Sequence, residues 1–375
     1  MNPRLAALSN AGVAVWADSI ARRWLEEGQL HRLRDERAVV GVTSNPTIFE
    51  QAMRDGDAYA AALADLAREG LDARTIFERL ALDDIRSATE VLADVYDATD
   101  RRDGYVSYEV APDLAHDTET TIAEAARLFA AIDRPNVMIK IPATVEGLPA
   151  IRAAIGAGVN VNVTLIFSIE RYRAVTEAYL AGLEDRLAAG GDLASIASVA
   201  SFFVSRVDTL LDPRLDAIAA DGGAEAALAS ARRGTAAIDN AKLAYAEGQT
   251  VFSGPRWEAL AAHGAQPQRC LWASTSTKDP DYRDVVYCEE LVGDGTVNTM
   301  PLATIEAFAD HGEVRGQTVT EGLDRARRLW SDLAELGIDE AEVAGELEAD
   351  GVRKFAASFE DLLAVIEQQR AEAAG

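Results

Sequence analysis

Eight short runs rich in β-branched, aromatic and small residues recur along the chain, separated by longer stretches of helical period. This alternation constrains the fold more than any other feature. The runs are VAVWAD (13–18), AVVGVTSN (38–45), YVSYEV (105–110), NVMIKIP (136–142), VNVTLIF (161–167), SIASVASFFVS (195–205), CLWASTS (270–276) and TVNTMP (296–301). Several are nearly unbroken in apolar or small residues, the pattern of parallel strands covered on both faces. Between them, Ile76, Leu80, Ile85, Ala88, Leu92 and Val95 recur at spacings of three to five and make one apolar helix stripe. Ser168 is the expected N-cap of the helix that follows it, with Arg171 rather than an acid at the capping-box position. Strand and helix alternating about eight times predict an α/β fold, first of all a closed (β/α)8 TIM barrel with additional helices. An open doubly wound sheet shares the alternation, and strand count does not separate the two.

The additional helices fall in two places, an enlarged section around 206–262 and a tail around 318–375. No Pro/Ser-rich linker precedes either, so residues 1–375 read as one domain. A net charge of −26 argues against non-specific nucleic-acid binding and against docking on anionic membranes. A small anionic substrate remains compatible with it, because a few cations in a cleft outweigh the global field. The two cysteines, Cys270 and Cys288, form no disulfide framework or redox motif, and a reducing cytoplasm is the expected compartment. No apolar stretch approaches the ~20 residues of a membrane span, and the first residues lack a secretory leader's pattern. His31, His116, His263 and His311 are far apart, with no metal-ligand spacing. P-loop, GxGxxG and GxSxG motifs are lacking from the sequence.

In a barrel, side chains near the carboxyl ends of the strands point into the site. Those ends carry Asp18, Asn45, Glu109, Lys140, Asn162, Thr164, Ser201, Arg206 and Ser274. The chain has only four lysines among 36 cationic residues, yet one of them, Lys140, lies between Ile139 and Ile141. An ammonium in an apolar wall loses hydration, which disfavours its charged form, and only a free amine adds to a carbonyl. The bland alternative is a strand-end lysine that snorkels to water or pairs with Glu109. Asn45, held out of helical dihedrals by Pro46, is either a turn and capping residue or an amide offered to a hydroxyl. Asp18 either caps the helix starting near Ser19 or moves protons. Arg206 either pairs with Asp208 or Glu170 or grips a phosphate.

Two longer motifs carry a resemblance. GVTSNPTIF (41–49) and VMIKIPATVEGLPAI (137–151) resemble the two signatures of the transaldolase family, and VNVTLIFS, ASFFVSRVD and TVNTMP extend the likeness along nearly the whole chain. The resemblance, closest to the longer bacterial form, implies a (β/α)8 barrel with the Schiff-base lysine, Lys140, on the fourth strand. It implies a transferase of the non-oxidative pentose phosphate pathway that moves a dihydroxyacetone unit from a ketose phosphate to an aldose phosphate. It also implies no metal or organic cofactor, sugar phosphates as partners, and a monomer or homodimer. Carried over by motif, Asp18 takes the proton of the C4 hydroxyl, while Glu109 and Thr164 position the relay water. Asn45, Asn162 and Ser201 hold hydroxyls, Phe203 forms part of the wall, and Arg206 binds the phosphate. The family's second phosphate-binding arginine, shortly after an Ala-Ser pair on strand seven, is missing from LWASTSTKDP; Lys278, four residues beyond Ser274, is the candidate substitute. The alternatives are a fructose-6-phosphate aldolase releasing free dihydroxyacetone, and a non-catalytic sugar-phosphate-binding barrel.

Overall fold

A computed structural model describes residues 1–54 and 57–374. The strands are β1 (Val13–Ala17), β2 (Val39–Val42), β3 (Tyr105–Glu109), β4 (Val137–Pro142), β5 (Val161–Ile166), β6 (Ser198–Phe203), β7 (Arg269–Ala273) and β8 (Thr296–Met300). Each pairs in parallel with its sequence neighbours, and β8 returns to β1 from Val13↔Thr296 to Ala17↔Met300. The sheet therefore closes, which rules out the open doubly wound alternative and gives a (β/α)8 barrel. All eight expected runs contain a strand. β1, β2 and β7 end earlier than their runs because Asp18, Thr43–Asn45 and Ser274–Ser276 leave the ladder to become mouth loops, which is where the polar side chains gather.

Register decides which of these side chains become neighbours. Glu109 lies opposite Lys140, Lys140 opposite Asn162, and Pro142 opposite Thr164. Past Val163 the β5–β6 register shifts, and Leu165 takes a φ of 61°. A bulge of this kind bends the strand end and re-aims its side chains; here it falls immediately after Thr164.

The section after β6 contains the helices Ser205–Ala220, Ala226–Arg232, Ala236–Val251 and Pro255–Ala261, and the tail contains Leu323–Ala326, Leu329–Glu335 and Glu340–Ala374. Ser168 caps Ile169–Ala188 as expected, its hydroxyl accepting the Arg171 N–H at 3.1 Å. The section and the tail are joined by buried charge. Arg232 donates to Asp239 at 2.9 Å, Arg325 donates to the same carboxylate, and Arg232 also meets Asp332.

The helix Glu340–Ala374 is not a peripheral tail. Leu347, Phe355, Phe359, Leu362 and Ile366 form a buried stripe at spacings of three to eight, and Gly351 occupies the same stripe. This stripe crosses the carboxyl end of the barrel: Ser358 Oγ meets Thr47 Oγ1 at 2.7 Å, and Phe359 packs edge-on against Phe77 at 5.7 Å. Among the described residues, no helix is long and apolar enough to cross a membrane.

Candidate active site

A cavity of about 140 Å³ opens at the carboxyl end of the barrel. Asp18, Asn45, Lys140, Thr164, Ser201, Phe203, Arg206, Ser274 and Lys278 line it. The ends of six strands, with residues up to 260 positions apart, thus deliver nine of the eleven residues named from sequence to one place. The other two stand one layer back. Glu109 contacts the lysine, and Asn162, fully buried, is reached through Ser201.

Lys140 is 4% exposed. Its Nζ lies 3.3 Å from Glu109 Oε2 and donates to the Ser44 carbonyl oxygen at 3.3 Å. The pairing with Glu109 that a purely structural lysine would make is therefore present, but it is made at the wall of a cavity. Burial, the largest influence, pushes the Glu109 carboxyl above its ordinary range; the Lys140 charge opposes this, and Asp18 adds to it. Among the described residues, Glu109 Oε2 has no hydrogen-bond partner beyond that ion pair, and the buried Thr164 Oγ1 has none. A carboxylate oxygen held only by the amine, and a buried hydroxyl lining the same cavity as that amine, form a place for a proton or a water to be held.

Asp18 does not cap the next helix, whose N-cap is Ala21. Its carboxylate instead accepts from Thr43 Oγ1 at 2.7 Å, and Thr43 Oγ1 also contacts Thr299 Oγ1 at 2.7 Å. Asn45 fills both roles open to it. Its Oδ1 accepts the Ile48 N–H at 3.0 Å at the start of Pro46–Arg54, while the residue lines the cavity. Asn162 Nδ2 donates to Ser107 Oγ at 3.0 Å, and its Oδ1 accepts from Ser201 Oγ at 2.6 Å. That chain of hydrogen bonds fixes the Ser201 rotamer.

Arg206 pairs with neither Asp208 nor Glu170. Asp208 turns inward to the Ala237 N–H and the Tyr287 hydroxyl. The guanidinium lies instead between aromatic faces, 4.9 Å from the Phe203 ring centre and 5.8 Å from that of Phe355, with one buried Nη lacking any acceptor. Burial lowers its proton affinity, and the nearby carboxylates of Asp350, Asp18 and Glu109 raise it. A buried guanidinium nitrogen without a partner is a ready anion donor. Lys278 is exposed and donates to Ser276 Oγ at 2.7 Å. Ser274, with φ 56°, turns its hydroxyl to that of Ser205 at 2.9 Å.

Four further residues belong to this site and escaped the sequence reading. Ser107 was accessible to it, because alternation along β3 puts it on the same face as Glu109. Thr43 lies two residues before the selected Asn45, and Thr299 lies in β8, from which no residue was selected. Phe355 had no such signal. It stands over Lys140, with its ring centre 5.5 Å from Nζ, and arrives from a helix more than 200 residues later.

Comparisons with known proteins show the family. A family model described as transaldolase/fructose-6-phosphate aldolase matches residues 15–366. The chain is 53% identical over 374 residues, covering all of both chains, to a protein named transaldolase from Parafrankia sp. (strain EAN1pec). It is 54% identical over 371 residues, 99% of each chain, to a transaldolase of Thermobifida fusca (strain YX). A transaldolase 1 of Streptomyces coelicolor is 54% identical over 362 residues, 96% of this chain and 93% of that one.

Proposed function

Because the chain belongs to the transaldolase/fructose-6-phosphate aldolase family, we propose that it is a transaldolase whose reaction runs through an imine on Lys140. The substrates are a ketose phosphate donor, fructose 6-phosphate or sedoheptulose 7-phosphate, and an aldose phosphate acceptor, erythrose 4-phosphate or glyceraldehyde 3-phosphate. The observation that carries the reading is a buried amine within 3.3 Å of a carboxylate, on the wall of a cavity that also contains an unpaired guanidinium nitrogen.

Lys140 Nζ adds to the donor's C2 carbonyl. Glu109, whose burial raises its proton affinity, works with Thr164 to shuttle protons as the carbinolamine loses water. Asp18 removes the C4 hydroxyl proton, the C3–C4 bond breaks, and its electrons flow into the protonated imine. An aldose phosphate leaves, and a three-carbon enamine remains on the lysine. Attack of that enamine on the acceptor aldehyde, with Asp18 returning the proton, reverses the sequence. Asn45 Nδ2 and the Asn162–Ser201 pair orient hydroxyls. Arg206 takes the phosphate, and Lys278, from the loop after the neighbouring strand, adds a point charge.

Sodium borohydride added with fructose 6-phosphate traps the imine as a stable secondary amine. Peptide mass spectrometry is expected to find the three-carbon adduct on Lys140 and nowhere in Lys140→Arg. A wild-type protein that turns over the sugar without any adduct at Lys140 overturns the reading.

A further inference from the structure

The helix Glu340–Ala374 does more than cover apolar surface. Phe355 is 5% exposed and lies 5.5 Å from Lys140 Nζ and 5.8 Å from the Arg206 guanidinium carbon. One ring thus touches both the amine and the phosphate end of the cavity, above the space between them. The helix is pressed into place there. A methyl group added at Gly351, one turn earlier, would lie 2.8 Å from Leu165 Cδ2 and 3.3 Å from Arg206 Nη1. Its position is also pinned by Ser358 on Thr47 and by the Glu348–Arg171 ion pair at 3.3 Å.

We propose that Phe355 is a specificity-determining residue that keeps bulk water off the enamine, so that the three-carbon unit is handed to an aldehyde rather than released. The inference rests on the transaldolase reading above and deepens it. The enamine carbon has two possible electrophiles. Bonding to the acceptor's aldehyde carbon gives the new ketose. Bonding to a proton gives the imine of dihydroxyacetone; water then adds to C2, its oxygen becomes the ketone, and the Lys140 nitrogen departs as amine. Hydrolysis of the final imine takes one water in either branch, so the two part at the enamine carbon, where release needs a proton from solvent and transfer needs the bound aldehyde. An aromatic roof that limits solvent at the enamine carbon therefore slows release relative to transfer.

The test compares wild type, Phe355→Ala and Phe355→Leu with fructose 6-phosphate and erythrose 4-phosphate. Free dihydroxyacetone and the seven-carbon ketose phosphate are quantified together by mass spectrometry. Their ratio is internal to each reaction, so a partly unfolded preparation does not alter it. Phe355→Ala is expected to raise the released-to-transferred ratio on the order of tenfold, equivalent to about 1.4 kcal/mol between the competing barriers. Phe355→Leu, the milder truncation, is expected to raise it less and serves if the alanine form does not fold. Wild-type transfer with an unchanged ratio in both variants overturns this inference alone. Wild type that releases all its dihydroxyacetone despite the acceptor overturns both this inference and the reading on which it rests.

Discussion

Asp208→Asn is expected to change how stability depends on pH, and the structure sets the size of the effect. Asp208 is 2% exposed, two residues beyond Arg206. Its carboxyl accepts the Ala237 N–H at 2.7 Å and meets the Tyr287 hydroxyl at 2.9 Å. Asp212, one helical turn on, is also buried and holds the Gly234 N–H and the Tyr282 hydroxyl, with Arg233 close to Tyr282. Burial first, and then the charge of Asp212, pushes Asp208 from 3.8 to about 7. The unfolded chain therefore ionises this group well before the folded one does. The stabilisation it provides is complete below about pH 4 and is lost as pH rises towards 7; above that, both states are ionised and the loss levels off. A gap of about three pH units corresponds to about 4 kcal/mol, of which about 3 kcal/mol falls between pH 5 and pH 8. Asparagine copies the neutral acid: its carbonyl accepts from Ala237, and its amide can donate to Tyr287. Denaturant unfolding of both proteins from pH 5 to pH 8 cancels every other titration. The variant is expected to gain about 3 kcal/mol on wild type over that range. Parallel stability curves would refute the reasoning, because they would mean that Asp208 is already ionised in the folded state.

Two further substitutions probe the frame. Gly147→Ala places a methyl group 2.0 Å from the Pro142 carbonyl oxygen, a backbone atom two residues beyond Lys140. It is expected to cost about 1–3 kcal/mol and to lower kcat through displacement of the end of β4; calorimetry and steady-state assay check the two effects. Asp239→Ala strips the shared carboxylate from Arg232, which is 3% exposed, and from Arg325. Leaving a buried guanidinium without that partner is expected to cost about 3 kcal/mol or more, read as a lowered urea midpoint with unchanged m-value.

The sequence made the barrel legible because parallel strands buried on both faces write long apolar runs, and eight of them with intervening helices leave few architectures. The mouth residues were legible for a related reason: a polar group ending an apolar strand has to point somewhere, and in a closed barrel that place is shared. Lysine scarcity was a weaker guide than it first looked. Lys242 is as rare and as buried as Lys140, yet it lies in Ala236–Val251 against Glu290 and the Glu321 carbonyl, away from the cavity. Position at the end of a strand separates the two. What sequence could not supply was closure in depth. That Asn162 reaches the cavity through Ser201 depends on rotamers set by Ser107, and that Phe355 covers Lys140 depends on how a distant helix docks. Phe355 obeys only the spacing of an apolar stripe, and that spacing is satisfied by any packed helix.

The placement of that helix also gives the site a history. The barrel closes when β8 pairs with β1, at Thr296–Met300, yet the roof is supplied by residues 347–366. A chain emerging from the ribosome in order has every strand, with Lys140, Asp18 and Arg206, dozens of residues before Phe355 exists to cover them. The cover of the amine is thus the last part of the site to be synthesised.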